Sequence, residues 1–357
     1  MSFDEIPFKT NPNFRFQEAI TTKSDCLSAT HQFDCYQDKN GDTILISPYF
    51  DLPKAAERDH HISLINLKNN EVVQTLEAHK DRVTTVRHFQ DPETKNDYLI
   101  SADKKYKIIV WNLSNDNEKV LETEVKYEGF IYGCLLLFIN KKIYAVVSSI
   151  GSNSITRVIE VGNKDNVKEI KDSKELIVYY LAHWVNENAA DNESKHVIIQ
   201  CAKNKILFSE FPKNNTYHKI ETDDKFPYIQ AGIVFKNKGK DMFAASITYG
   251  KVLFVDLASK TTVKEVLMDD VHLYSFVRWN DHYLLLNDCL QRRIIVFDTL
   301  DGFKVKSKVL CPEMGFERFI KKIIHPKYGE CILSVGIDWT IKLFVNRSIL
   351  KSVEEKK

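Results

Sequence analysis

The stretch Ala78–Leu113, AHKDRVTTVRHFQDPETKNDYLISADKKYKIIVWNL, decides how the whole chain is read. It holds three short apolar runs, Val83–Phe89, Tyr98–Ala102 and Lys107–Leu113, separated by segments rich in Asp, Lys and Asn. Apolar runs of this length, bounded by turn-forming residues, read as β-strands. A small sheet built from them has two faces to bury and cannot bury both by itself, so the segment predicts further copies.

The copies appear when the third strand of each unit is aligned on the pattern apolar, any, apolar, large, polar, apolar. The fourth position of that pattern falls on Ile65, Trp111, Ile159, Ser209, Val255, Phe297 and Phe344, at intervals of 46, 48, 50, 46, 42 and 47 residues. These intervals lie at or slightly above the period of four-stranded propeller blades, about 40–45 residues. Each landmark strand is preceded by two further β-runs, such as Phe130–Ile139 and Lys142–Ser149, and followed by a more polar one, such as Thr261–Leu267. Alternating Val263, Val266 and Leu267 with Thr262, Lys264 and Glu265 suits a half-exposed outer strand.

The last unit is one strand short, because only NRSILKSVEEKK follows Val345, whereas FRFQEAI (Phe14–Ile20) precedes the first complete unit without a sheet of its own. Donating that segment to the last unit removes two open sheet edges. The expected architecture is therefore all-β, a single seven-bladed β-propeller over residues 13–348, closed by an N-terminal strand that completes the last blade. Residues 1–12 form an N-terminal tail and residues 349–357 a charged C-terminal tail.

Composition narrows the function. Lys+Arg 50 against Asp+Glu 49 leaves a net charge of +1, so no global field steers the molecule to nucleic acid or to an anionic membrane. The longest apolar run, Phe130–Ile139, is about half of what a membrane-crossing helix needs. The N-terminal MSFDEIPFKTNPNFRF opens with acidic residues and lacks the positively charged start and apolar core of an export signal. Seven cysteines without a CxxC pair read as reduced buried thiols, and the expected location is intracellular, cytoplasmic or nuclear. No cofactor is expected: there is no phosphate loop or dinucleotide-binding turn. The adjacent His60 and His61 point to opposite faces of a strand, so no metal is expected either. Without a nucleophile elbow, no catalytic residue is expected.

Ile323–Phe344, IIHPKYGECILSVGIDWTIKLF, resembles the tryptophan-aspartate (WD) repeat family of β-propellers in its His-Pro turn, its glycine-containing hairpin, Ser334, Asp338 and the run Thr340–Leu343. The second unit is similar at His79, Ser101 and Trp111 but has Lys105 where the family carries an aspartate. The resemblance implies a His, Ser or Thr, Asp and Trp tetrad bracing each blade, and no unit here keeps all four at the family's positions. It also implies that ligands meet the rim formed by the loops between second and third strands and between blades. On this chain that rim carries Arg82, Lys105, Tyr106, Tyr249, Arg292, Arg293 and Trp339, a mixture of cations and aromatics suited to gripping a partner.

Three readings follow. The first is a non-enzymatic scaffold or adaptor that holds a protein or peptide partner on this rim, alone or within a multi-subunit complex. The second is a nucleic-acid or phosphoinositide binder using the same cations, against which the net charge argues. The third is a propeller hydrolase, for which no residue-level support is visible. The bland alternatives are that Lys104-Lys105 and Arg292-Arg293 are solvated turn residues, and that the acidic insertion Asn186–Ser194 is a spacer.

Overall fold

Short strands repeating at a steady period can bury both faces only by stacking sheet on sheet, and this chain does so around a ring. The structure is a computed structural model that describes residues 16–23, 33–48, 60–125, 130–150, 155–170, 178–189, 195–213, 215–222, 228–247, 250–269, 271–311, 317–336 and 340–346. Strand β1 (Phe16–Lys23) comes first. Blade 1 is β2 (Asp34–Gln37), β3 (Thr43–Pro48), β4 (His60–Asn66) and β5 (Glu71–His79). Blade 2 is β6 (Val83–Gln90), β7 (Asp97–Asp103), β8 (Lys107–Asn112) and β9 (Glu118–Glu124). Blade 3 is β10 (Phe130–Ile139), β11 (Lys142–Ile150), β12 (Thr156–Glu160) and β13 (Asn163–Glu169). Blade 4 is β14 (Val178–Val185), β15 (His196–Ala202), β16 (Lys205–Phe211) and β17 (Asn215–Glu221). Blade 5 is β18 (Ile229–Asn237), β19 (Lys240–Ile247), β20 (Lys251–Asp256) and β21 (Thr261–Leu267). Blade 6 is β22 (Leu273–Arg278), β23 (Tyr283–Asp288), β24 (Arg293–Asp298) and β25 (Lys304–Leu310). Blade 7 is β26 (Glu317–His325), β27 (Gly329–Gly336) and β28 (Thr340–Asn346), with β1 as its outer strand.

The molecule is thus a seven-bladed β-propeller of antiparallel four-stranded sheets, closed by its N-terminal strand. β1 runs antiparallel to β28 from Phe16 opposite Asn346 to Lys23 opposite Thr340. Seven apolar clusters fill the seven interfaces between neighbouring blades. The one joining Phe33, Cys35 and Leu45 of the first blade region to Ile323, Leu333 and Leu343 of blade 7 completes the circle.

The landmark positions are structurally equivalent. In blades 1, 2, 4, 5, 6 and 7 the pairing between third and outer strand slips by a residue immediately before the landmark, as between Val110 and Trp111 or Phe254 and Val255. In blade 3 the slip comes one residue later, after Ile159. A bulge at this point adds twist to a strand that must fan outward from the axis. Tight hairpins use the expected turn chemistry: Asn140 and Lys141 have φ of 51° and 62°, and Lys238 and Gly239 have 49° and 79°, the left-handed pair that suits a two-residue hairpin.

One expectation is corrected. Blade 2 does hold a four-membered bracing network, with its aspartate two residues earlier than Lys105. His79 Nδ1 lies 3.1 Å from Asp103 Oδ2, its Nε2 lies 2.8 Å from Ser101 Oγ, and Trp111 Nε1 donates to the same oxygen at 3.0 Å. Asp103 is the last residue of β7, two residues from Ser101 on the same face of the strand, whereas Lys105 lies in the turn beyond it. Asp103 Oδ1 also accepts the backbone N–H groups of Lys105 and Lys107, tying the turn to the network. Blade 4 replaces the arrangement differently. Thr156 Oγ1 donates to Gln200 Oε1 at 2.6 Å, Gln200 Nε2 donates to Ser209 Oγ at 2.9 Å, and Ser209 lies 3.0 Å from Thr216, linking blades 3 and 4. Ile65, Ile159, Val255, Phe297 and Phe344 are buried among apolar neighbours and need no polar partner.

Two outcomes test this account. Removing residues 1–23 takes away the outer strand of blade 7, and the midpoint of thermal unfolding is expected to fall by more than about 10 °C, or the chain to aggregate through the freed edge. An unchanged midpoint would contradict closure by β1. Asp103→Ala strips a buried histidine of its partner and frees two backbone donors, which is expected to cost about 3 kcal/mol in urea unfolding. Lys105→Ala is expected to stay within about 0.5 kcal/mol, as for an exposed surface residue, and a reversal of the two would restore the family's aspartate position to Lys105.

Candidate functional site

In an antiparallel blade, the loops between second and third strands and those between blades emerge on the same side of the ring. Among the described residues this rim carries Lys80–Arg82, Lys104–Tyr106, Phe130, Tyr228, Gly250 and Cys289–Arg292. Arg82, Lys105, Tyr106, Arg292 and Arg293 all sit on it or at its edge, but they do not converge as one cationic patch. Lys105 is exposed and pairs with Asp81 at 3.4 Å. Arg293 Nε donates at 2.8 Å to the fully buried Asp288, so its charge holds the hairpin between β23 and β24. Tyr106, at φ 72°, lies in the β7–β8 turn and packs on the apolar interface of blades 2 and 3. Arg82 is half-buried, with desolvation lowering its pKa against the opposing pull of Asp81. Arg292 is exposed as well, at φ 50° on the hairpin tip. Tyr249, Asp338 and Trp339 lie outside the described residues, as do both tails and most of the Phe50–His61 loop and of the Asn186–Ser194 insertion. Ser334 is fully buried on β27.

His79, Ser101 and Asp103 have the connectivity of a hydrolase triad. Ser101 Oγ, however, is fully buried and engaged by the indole N–H of Trp111, so no acyl substrate reaches it. The arrangement braces the blade. Among the described residues no group of three or more His, Cys, Asp or Glu is placed to hold a metal, and no helix is long and apolar enough to cross a membrane. Six cysteines among the described residues are buried; burial pushes the thiols of Cys35 and Cys134 up to about 11 and that of Cys331 up to about 12, which leaves them protonated and unreactive.

Two features of the ring axis emerge only from the register. The first is a chain of tyrosines around the channel mouth on this same rim. Tyr132 and Tyr179 are the extra residues where the inner strands of blades 3 and 4 bulge, and Tyr228 immediately precedes the inner strand of blade 5. Their rings meet edge to face, Tyr132 to Tyr179 at 6.1 Å and Tyr179 to Tyr228 at 5.2 Å. All three are half-buried, and desolvation, with the two neighbouring phenols, pushes the Tyr179 hydroxyl up to about 12, so it stays a neutral donor.

The second is a set of equivalent positions on the innermost strands around the axis. Following the strand pairings inward from the landmarks places Asp34, Arg87, Leu135, Ala182, Ile233, Val277 and Lys321 at one equivalent position of the seven inner strands. Four are apolar. The three charged ones sit in consecutive blades, 7, 1 and 2, in the order plus, minus, plus. Lys321 Nζ donates to Asp34 Oδ1 and, at 3.1 Å, to the carbonyl of Cys35. Asp34 also accepts the backbone N–H of Cys35 and that of His88, both at 2.8 Å. Arg87 reaches past blade 3 to blade 4, donating to Tyr180 Oη at 3.2 Å and to the carbonyl of Leu181 at 3.4 Å, with its guanidinium 5.3 Å from the Tyr180 ring centroid. Burial works to raise the Asp34 carboxyl, but the charge and hydrogen bond of Lys321, then Arg87 and the His88 N–H, hold it below the usual carboxylate range. Burial likewise opposes the charge on Lys321, and Asp34 outweighs it, so the ammonium is held above its ordinary value.

No protein-family model matches the chain, and no curated protein matches it by sequence. Among solved structures the chain is similar to Raptor from Chaetomium thermophilum, with a TM-score of 0.65 and 11% sequence identity over 93% of this chain. It spans 29% of the Raptor chain. At that identity the likeness is one of fold, and it agrees with the seven-bladed ring that the strand pairings define.

Proposed function

We propose that the protein is a non-enzymatic interaction scaffold that binds a peptide or partner subunit at the channel mouth on the tyrosine-bearing rim. The observation that carries this reading is the Tyr132–Tyr179–Tyr228 chain, three flat amphipathic side chains pre-organised by ring contacts. Aromatic anchors held in place before binding lose little side-chain entropy on contact and dominate the energetics of many interfaces. The rim adds Arg292 in solvent and Lys104 over the ring of Phe130 at 5.1 Å, a cationic border to an aromatic centre. The WD-repeat resemblance supports the same surface. Buried, protonated thiols fit a reducing interior. A phosphate-tracking surface is the poorer reading, because Lys105 and Arg293 already hold carboxylates of their own hairpins.

Native-lysate capture on wild-type protein, Tyr179→Ala and Arg292→Glu tests the reading, with thermal unfolding as the check on the fold. Truncating an anchor of this kind costs about 2 kcal/mol, so Tyr179→Ala is expected to lower recovery of the bound partner by tenfold or more. Arg292→Glu is expected to weaken it less, and both variants are expected to unfold within a few degrees of wild type. A partner recovered equally by all three would move the binding surface off this rim.

A further inference from the structure

The channel layer carries one more positive charge than its own residues answer. Asp34 is its single carboxylate, and both its oxygens are occupied: by Lys321, by the Cys35 N–H and by the His88 N–H. Arg87 offers five N–H donors. Two go to neutral acceptors, the Tyr180 hydroxyl and the Leu181 carbonyl, and the other three have no acceptor among the described residues. The remaining positions of the layer, Leu135, Ala182, Ile233 and Val277, cannot supply a counter-charge. The hydrogen bonds of this guanidinium go only to neutral groups, the nearby Asp34 carboxylate that favours its charge is already bonded to Lys321, and its planar fork matches the two oxygens of an oxyanion.

We propose that the propeller channel is a binding site for an oxyanion, a carboxylate or a phosphoryl group, held by Arg87 with Lys321 as the second cation. Asp34 has a defined part in it. By fixing Lys321 on one side and approaching Arg87 on the other, it keeps two cations together that would otherwise repel each other, and it sets the residual charge at one. Tyr180 aligns the guanidinium, with its hydroxyl taking one N–H and its ring lying beside the plane. The Lys321 side chain is 36% exposed, so this cation is not sealed from solvent. The inference is independent of partner binding on the rim, and the test below uses no partner.

The full chain, labelled with 15N, is titrated at constant ionic strength in chloride with inorganic phosphate and, separately, with acetate. The readout is the side-chain Nε–H signal of Arg87, assigned by its loss in Arg87→Lys, together with calorimetric binding. A saturable shift of that signal is expected with at least one anion. Phosphate alone would identify a phosphoryl ligand, and acetate alone a carboxylate. Arg87→Lys is expected to bind about tenfold more weakly or worse, because the bidentate charge-assisted pair is lost. Lys321→Met is expected to weaken binding less, and Lys264→Gln on the exposed outer strand β21 to leave it unchanged. The proposal is overturned if neither anion produces a saturable shift in wild type, if Arg87→Lys retains the wild-type isotherm, or if Lys264→Gln abolishes it. Should either channel variant fail to fold, the wild-type titration and the Lys264→Gln control decide alone.

Discussion

The closed ring rests on the pairing of β1 with β28, because that pairing completes blade 7 and removes its open edge. Seven interfaces are filled by seven apolar clusters, and the one between blades 7 and 1 exists only if the first and last thirds of the chain meet. Without β1, blade 7 presents the unpaired edge of β28, and the contact that joins Phe33 and Leu45 to Ile323 and Leu333 has nothing to hold it in register. Closure converts a linear series of blades, each touching its neighbours, into one cooperative body. The same constraint explains why worn repeats are tolerated. Once the ring is shut, each blade needs to be apolar on both faces and about the right thickness, and specific motif residues become optional.

The polar braces show how that freedom was used. A buried polar group must be paired, so a blade either keeps a complete network or dispenses with it. Blade 2 keeps one, through Asp103 in place of a residue two positions on. Blade 4 builds another from Thr156, Gln200 and Ser209 and spends it on joining two blades. The blades with Val255, Phe297 and Phe344 at the landmark have dropped the indole altogether and fill its volume with hydrocarbon. These are three chemically different solutions to the same packing position, which is why the chain can keep a fold while losing the sequence signature that usually accompanies it.

The period, the number of blades, the closing strand and most strand limits were legible in the residues, because alternation and turn chemistry are local and the landmark recurs in every blade. The Asp103 brace was missed by reading a motif position literally, although Ser101 and Asp103 two apart on one strand carried the signal. Rim placement of Arg82, Lys105, Tyr106, Arg292 and Arg293 followed from topology. Their partners did not, since Asp81 and Asp288 are ordinary turn residues until the hairpins are folded. The tyrosine chain was hidden for another reason. Tyr132 and Tyr179 face the mouth because the inner strands bulge there, and a bulge of one residue leaves little trace in a hydrophobic pattern. The channel layer is the extreme case. Asp34, Arg87 and Lys321 are scattered over most of the chain and become neighbours only when seven registers are superposed; aligning the inner strands on the landmark would have found them.

That contrast separates two kinds of charge in the ring. On the rim, cations sit in hairpins whose own turns supply the carboxylates, so Lys105 and Arg293 are largely consumed by local structure. On the axis, the inner strands offer one side chain per blade to a shared layer, and local pairing is impossible because adjacent members come from different blades. Charge there is balanced only by what other blades place at the same height, and four of the seven place hydrocarbon. A guanidinium whose hydrogen bonds go only to neutral groups therefore arises readily on the axis, where Arg87 donates to the Tyr180 hydroxyl and the Leu181 carbonyl. The tyrosines of blades 3 to 5 stand at the ends of the same inner strands, so a segment resting on them lies close to that guanidinium.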